Sequence, residues 1–84
     1  MTDPPDLTLY GASWCGSSRR VRLLLESHSI PYVYIDIDRN DEGARTVALL
    51  NHGNRSVPTL LWADGSILVE PTNEQLAEKL KISL

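Results

Sequence analysis

The stretch Trp14-Cys15-Gly16-Ser17-Ser18 decides how the chain is read. Before it, Leu7-Thr8-Leu9-Tyr10 alternates strand-forming residues and stops at Gly11. After it, Val21, Leu24, Leu25 and His28 recur at i, i+3, i+4 and i+7, the mark of one helical face. Cys15 therefore stands where a strand gives way to a helix. A helix N-terminus offers unpaired backbone N–H groups and about half a positive charge, and both favour thiolate over thiol. Arg19, Arg20 and Arg22 are expected to add positive charge, and the Ser17 and Ser18 hydroxyls to donate hydrogen bonds to the sulfur. Thiols so placed titrate at about 3.5–7.5 rather than about 8.5. The competing role for a lone cysteine is that of a small buried hydrophobe. A glycine, two serines and an arginine cluster make a poor apolar pocket and a good anion site, so Cys15 is read as reactive.

Outward from this segment, Ser29-Ile30-Pro31 ends the helix, because proline cannot continue it. Tyr32 to Asp38 reads as a second strand, with Val33, Ile35 and Ile37 on one face and Tyr32, Tyr34 and Asp36 on the other. Asn40 or Asp41 caps a second helix whose apolar stripe is Ala44, Val47 and Ala48, and Gly53 is its left-handed terminator. Thr59 to Ala63 and Ser66 to Val69 are strands joined by a two-residue turn at Asp64-Gly65. Thr72 with Gln75 forms a capping box, and Leu76, Ala77 and Leu80 form the inner face of a last helix. The order is β-α-β-α-β-β-α. An early βαβ unit implies parallel strands, and the late hairpin adds an antiparallel pair. The fold class expected is α/β, a four-stranded mixed sheet with three helices.

At 84 residues the chain has room for one domain, expected over 1–84 with residues 1–6 loose. Apolar residues at 42% and charged residues at 23% fit a globular protein and exclude a disordered tail. One cysteine excludes an internal disulfide and a multi-cysteine zinc site within the chain. A net charge of −3 argues against a nucleic-acid partner. No apolar run approaches the ~20 residues that span a bilayer. The acidic, proline-bearing start Met1-Thr2-Asp3-Pro4-Pro5-Asp6 is unlike a secretory signal, so a cytoplasmic location is expected.

Three further patterns point to no site. Asp36, Asp38, Asn40 and Glu42 alternate like a calcium loop, but Asp41 and Val47 stand where such a loop needs Gly and Glu. His28 and His52 are far apart and lack nearby cysteines, so they read as helix-end residues rather than metal ligands. Tyr10, Tyr32, Tyr34 and Trp62 occupy strand positions and read as packing residues.

Taken with Asn54-Arg55-Ser56-Val57-Pro58-Thr59 and Asp64-Gly65, the Cys15 segment resembles the glutaredoxin family of the thioredoxin fold, and the short actinobacterial mycoredoxins most. The resemblance runs from Leu7 onward. It implies that Cys15 is the nucleophile, and that Pro58 follows a cis peptide bond and faces Cys15. It also implies that Val57 offers its backbone to an extended thiol substrate, in the manner of an added strand. Gly16, Ser17 and Ser18 fall in the substrate-binding segment. Trp14 is either a partly exposed wall of the site or a core aromatic. Asn54 and Arg55 are either polar contacts of the site or part of a solvated loop.

Two departures refine what the resemblance implies. Dithiol members carry a second cysteine where this chain has Ser18, so a monothiol route is expected. In it Cys15 takes a low-molecular-weight thiol from an S-thiolated protein and a second small thiol regenerates it. Many members also have a Gly-Gly-x-Asp segment that holds the glutathione carboxylate, where this chain has Glu70-Pro71-Thr72-Asn73. That favours mycothiol over glutathione as the co-substrate. The expected protein is a monomer with no tightly bound cofactor or metal. Two other functions stand beside it. One is a [2Fe–2S] carrier dimer, against which Tyr10 to Trp14 contains no lysine and Ser17 replaces an aromatic. The other is a redox-inert binding module, against which stand Cys15, the arginines and Val57-Pro58.

Overall fold

Tyr10 and Leu9 on the first strand face opposite sides, and the protein is layered about that alternation. The computed structural model describes residues 5–84. Its elements are β1 (Leu7–Gly11), α1 (Gly16–Ser27), β2 (Val33–Asp36), α2 (Asp41–Leu50), β3 (Thr59–Trp62), β4 (Ile67–Val69) and α3 (Asn73–Leu80). The expected order of elements is the observed one. The sheet runs β2-β1-β3-β4, with β1 parallel to β2, antiparallel to β3, and β3 antiparallel to β4.

Leu7 and Leu9 of β1 and Leu60 of β3 pack with Val21 and Leu25 of α1 and Leu76 of α3. On the other face Tyr10, Ala12, Ile37 and Val57 pack with Ala44 and Val47 of α2. α1 and α3 thus cover one side of the sheet and α2 the other, because a parallel β1-β2 pair needs its crossover helix on a face. Among the described residues no helix is long and apolar enough to cross a membrane.

The structure corrects several local expectations. β2 is shorter than Tyr32 to Asp38. The Asp36 side chain accepts from the Asp38 N–H at 2.9 Å and the Arg39 N–H bonds the Asp36 carbonyl at 3.1 Å, so the chain turns there. Val33 is exposed, on an edge strand. The α1 stripe is Ser18, Val21 and Leu25, with Leu24 and His28 only half-buried. The α2 stripe is Gly43, Ala44 and Val47 rather than Ala44, Val47 and Ala48. Gly43 is there because a Cβ would come within 2.6 Å of Ile35 Cγ2.

The hairpin loop has three residues, Ala63-Asp64-Gly65. The Gly65 N–H bonds the Trp62 carbonyl, and the Trp62 N–H bonds the Ser66 carbonyl, both at 2.9 Å. Gly65 is left-handed at φ 91, the conformation such a loop demands of its last residue. Asn40 caps α2 through the Gly43 N–H, and Thr72 with Gln75 forms the expected capping box on α3. Gly53 is left-handed beyond α2, preceded by His52, also left-handed. Of the segment expected to be loose, residues 1–4 lie outside the described residues. The carbonyl of Asp6 accepts from the Ala63 N–H at 2.8 Å, which pins the strand's approach.

Candidate active site

Cys15 is the N-cap residue of α1, with extended backbone angles and no side-chain cap of its own. Its N–H donates to the Ala12 carbonyl at 3.1 Å, and its carbonyl accepts the first helical bond from Arg19 at 3.2 Å. The residue is held on both sides while its thiol stays partly exposed. Across from it, the Val57 carbonyl oxygen lies 3.9 Å from Sγ. The Val57–Pro58 peptide bond is cis, and both residues are buried.

Burial pushes the Cys15 thiol up, but hydrogen bonds outweigh it and the net shift is downward. They come from the Ser18 hydroxyl and the Ser18 and Ser17 backbone N–H groups, while the Glu70 carboxylate works in the opposite direction. Ser18 is 1% exposed, and its Oγ accepts the Ala12 N–H at 3.3 Å. Its hydroxyl proton remains free to reach sulfur. One buried hydroxyl thus joins the loop before Cys15 to the thiol itself. Ser17 contributes through its backbone N–H, and its side chain is exposed.

The arginines do not act as expected. None of Arg19, Arg20 and Arg22 is among the groups that lower the thiol. Arg20 donates to Asn73 Oδ1 at 2.5 Å and to the Pro71 carbonyl at 2.9 Å, tying α1 to the start of α3. Arg22 donates to the Tyr32 hydroxyl at 3.3 Å and lies 4.0 Å over the Tyr34 ring. Arg19 is exposed. Long side chains reach partners that local spacing cannot show.

Trp14 is 72% exposed, and its indole N–H donates to Asp38 Oδ2 at 2.6 Å. Of the two readings of Trp14, the structure has the exposed one, beside Cys15. Gly16 opens α1, with empty space where a Cβ would stand. Trp14, Gly16, Ser17, Ser18, Val57 and Pro58 therefore gather around Cys15. Asn54 and Arg55 are exposed in the loop leading to Val57. That loop is braced from below. Thr59 Oγ1 donates to the Ser56 carbonyl at 2.7 Å and accepts from Asn51 Nδ2 at 3.2 Å, and Asn51 also bonds the Val47 carbonyl. The Pro58 carbonyl accepts the Glu70 N–H at 2.8 Å. Sequence reasoning passed over Asn51 and Asp38 as site residues, and met Thr59 and Glu70 only inside the 54–59 and 70–73 segments.

The site is thus a cysteine at a helix N-terminus facing a cis-proline loop that leads into β3. The glutaredoxin family model matches residues 7–67. A Mycobacterium tuberculosis protein named as a glutaredoxin is 42% identical over 74 residues, which cover 88% of this chain and 88% of that one. The chain belongs to the glutaredoxin family. Mycoredoxin 1 of Corynebacterium glutamicum is 30% identical over 76 residues, 90% of this chain and 94% of that protein. The crystal structure of a thioredoxin-like protein superposes with a TM-score of 0.78 at 20% identity, covering 93% of this chain and 97% of that one. The fold is thus thioredoxin-like. The chain is a glutaredoxin-family oxidoreductase, and glutaredoxins act with low-molecular-weight thiols on protein disulfides.

Proposed function

We propose that the protein is a monothiol thiol–disulfide oxidoreductase that reduces mixed disulfides between proteins and a low-molecular-weight thiol, mycothiol rather than glutathione. The observation that carries this reading is Cys15 itself. It is the only cysteine, held partly exposed at the N-terminus of α1 with its thiol lowered by Ser18 and the first-turn N–H groups. The Cys15 thiolate attacks the small-thiol sulfur of the mixed disulfide. A bond forms between Cys15 and the small thiol, and the protein thiolate leaves and takes a proton from water. A second small thiol, as thiolate, then attacks the small-thiol sulfur on Cys15. Its product is the small-thiol disulfide, and the Cys15 thiolate is released. Overall, one protein–small-thiol disulfide and one free small thiol become one protein thiol and one small-thiol disulfide, with one disulfide bond broken and one formed. Ser18, where dithiol relatives have cysteine, cannot attack the first adduct to close an internal disulfide.

In this reading Cys15 is the catalytic residue. Trp14, Gly16, Ser17, Ser18, Arg55, Val57 and Pro58 bind substrate, with the Val57 carbonyl and N–H serving an extended thiol chain. The preference for mycothiol is supported by Glu70-Pro71-Thr72-Asn73 in place of a glycine-rich carboxylate-holding segment, and by the likeness to a mycoredoxin. We place it as a cytoplasmic monomer folded as one domain over 1–84. The test is the intact mass of the reduced protein mixed with mycothiol disulfide and, separately, with glutathione disulfide. A fast one-to-one adduct on Cys15, faster with mycothiol disulfide and removed by mycothiol, is expected. A folded protein with a free thiol that forms no adduct with either would end the proposal in favour of cluster carriage or an inert binding role.

A further inference from the structure

We propose that Glu70 is a charge gate beside Cys15, biasing the site against small thiols that carry a carboxylate near the sulfur and toward neutral, hydroxyl-bearing or cationic ones. This rests on the oxidoreductase reading and names the chemical class of its small substrate.

Four observations place Glu70 there. β3 and β4 pair with Thr59 opposite Val69, so Glu70 emerges directly beside Pro58. Its N–H donates to the Pro58 carbonyl at 2.8 Å, which fixes it to the loop whose Val57 carbonyl lies 3.9 Å from Cys15 Sγ. It is left-handed at φ 48, a conformation that glycine enters freely and glutamate only at an energetic cost. Its side chain is exposed, and its charge is felt at the thiol, which it pushes up. A residue that adopts a costly backbone conformation and opposes formation of the thiolate is not explained by stability or by nucleophile activation. It is explained by selection among incoming thiols.

The surroundings leave the lining net negative. The depression containing Glu70 is also lined by Arg20, Pro71, Thr72, Asn73 and Glu74. Arg20, the one cation of that lining, is held by Asn73 Oδ1 and the Pro71 carbonyl, and Glu70 with Glu74 makes two carboxylates to its one guanidinium. Beside Cys15, the Trp14 indole N–H is held by the carboxylate of Asp38, again an anion. An incoming carboxylate on the Glu70 side of Cys15 therefore meets like charge, whereas hydroxyls and amines meet acceptors.

The test uses three symmetric disulfides of similar length: cystamine, hydroxyethyl disulfide and 3,3′-dithiodipropionate, which are cationic, neutral and anionic. Adduct formation on Cys15 is timed by intact mass at one pH for the wild type, Glu70→Gln and Glu70→Lys. Dividing each rate by that of the neutral probe removes changes in thiolate fraction and nucleophilicity. The anionic-to-neutral ratio is expected to rise roughly three- to tenfold in Glu70→Gln and further in Glu70→Lys, while the cationic ratio falls. In the wild type, 0.5 M salt should raise the anionic ratio and lower the cationic one, since exposed charges are screened. Ratios that stay within about twofold of the wild type in both variants, with adducts still forming, overturn the gate alone. Failure of the wild type to react with any of the three disulfides overturns the oxidoreductase reading and the gate with it.

Discussion

The Sγ of Cys15 and the carbonyl oxygen of Val57 lie 3.9 Å apart, although 42 residues of chain separate them. β1 and β3 are antiparallel neighbours in the sheet, so the turn after β1 and the loop before β3 bring these two residues to the same end of it. The thiol is thereby placed against a backbone already shaped to receive an extended chain. Each residue that braces either side of this pair has a measurable consequence.

Ser18→Ala removes the hydroxyl that takes the Ala12 N–H and supports the Cys15 thiolate. The Cys15 pKa should rise toward about 8.5, read from the pH dependence of iodoacetamide alkylation. Stability should fall by about 1 kcal/mol in urea denaturation, since a buried N–H loses its partner. An unchanged alkylation profile would assign the low thiol to the helix backbone alone.

The same shift links stability to pH. The folded thiol titrates below its unfolded value, so the unfolded state holds more protons between the two pKa values. Stability from this group is present above the unfolded pKa near 8.5 and is lost as pH falls through the folded value. The wild type should therefore gain stability relative to Cys15→Ser as pH rises through that window and hold a constant difference above it. Paired denaturation curves from pH 6 to 9.5 measure this, and a difference of opposite slope would show that the folded thiol is raised.

Thr59→Val keeps the shape of a buried residue and deletes its bonds to Ser56 and Asn51. A loss of about 1–3 kcal/mol is expected, because the Ser56 carbonyl and Asn51 amide lose a partner beneath the Val57 loop. Disulfide exchange should slow even where the variant is fully folded. Exchange at the wild-type rate would mean that the loop keeps its geometry without this brace.

Arg20→Ala should cost about 1–3 kcal/mol through the two lost bonds to Pro71 and Asn73, partly relieved by solvent because the side chain is half-exposed. Its alkylation pKa should match the wild type, since Arg20 is not among the groups that set the thiol. A clear rise would restore the arginine cluster as the source of thiolate stabilisation.

Gly43→Ala sets helix propensity against space. Alanine is favoured over glycine in a helix by about 1 kcal/mol. The new Cβ would meet Ile35 Cγ2 at 2.6 Å, and a β-branched side chain has little freedom to retreat. A net destabilisation of about 1–3 kcal/mol is expected, read as a lower melting temperature. A rise in melting temperature would show that α2 can lift from β2 at little cost.

What the chain's letters determine by themselves is local. The Asn40 and Thr72 caps, the left-handed Gly53 and Gly65, and the alternation of Leu7, Leu9 and Tyr10 are settled within a few residues of each feature. Backbone sterics, caps and periodicity act over one turn or a few strand positions, so the sequence displays them directly. They suffice for the order of elements and for placing Cys15 at a helix start. The tertiary structure decides the rest: the sheet order β2-β1-β3-β4, the burial of Ser18, the diversion of Arg20 and Arg22 away from the thiol, and the arrival of Glu70 beside Pro58. These depend on which side chains meet after distant segments pack. An arginine reaches whichever acceptors the fold brings near, and a hydroxyl three residues past a cysteine turns inward or outward according to what covers it. Packing, rather than spacing along the chain, assembles the surroundings of Cys15.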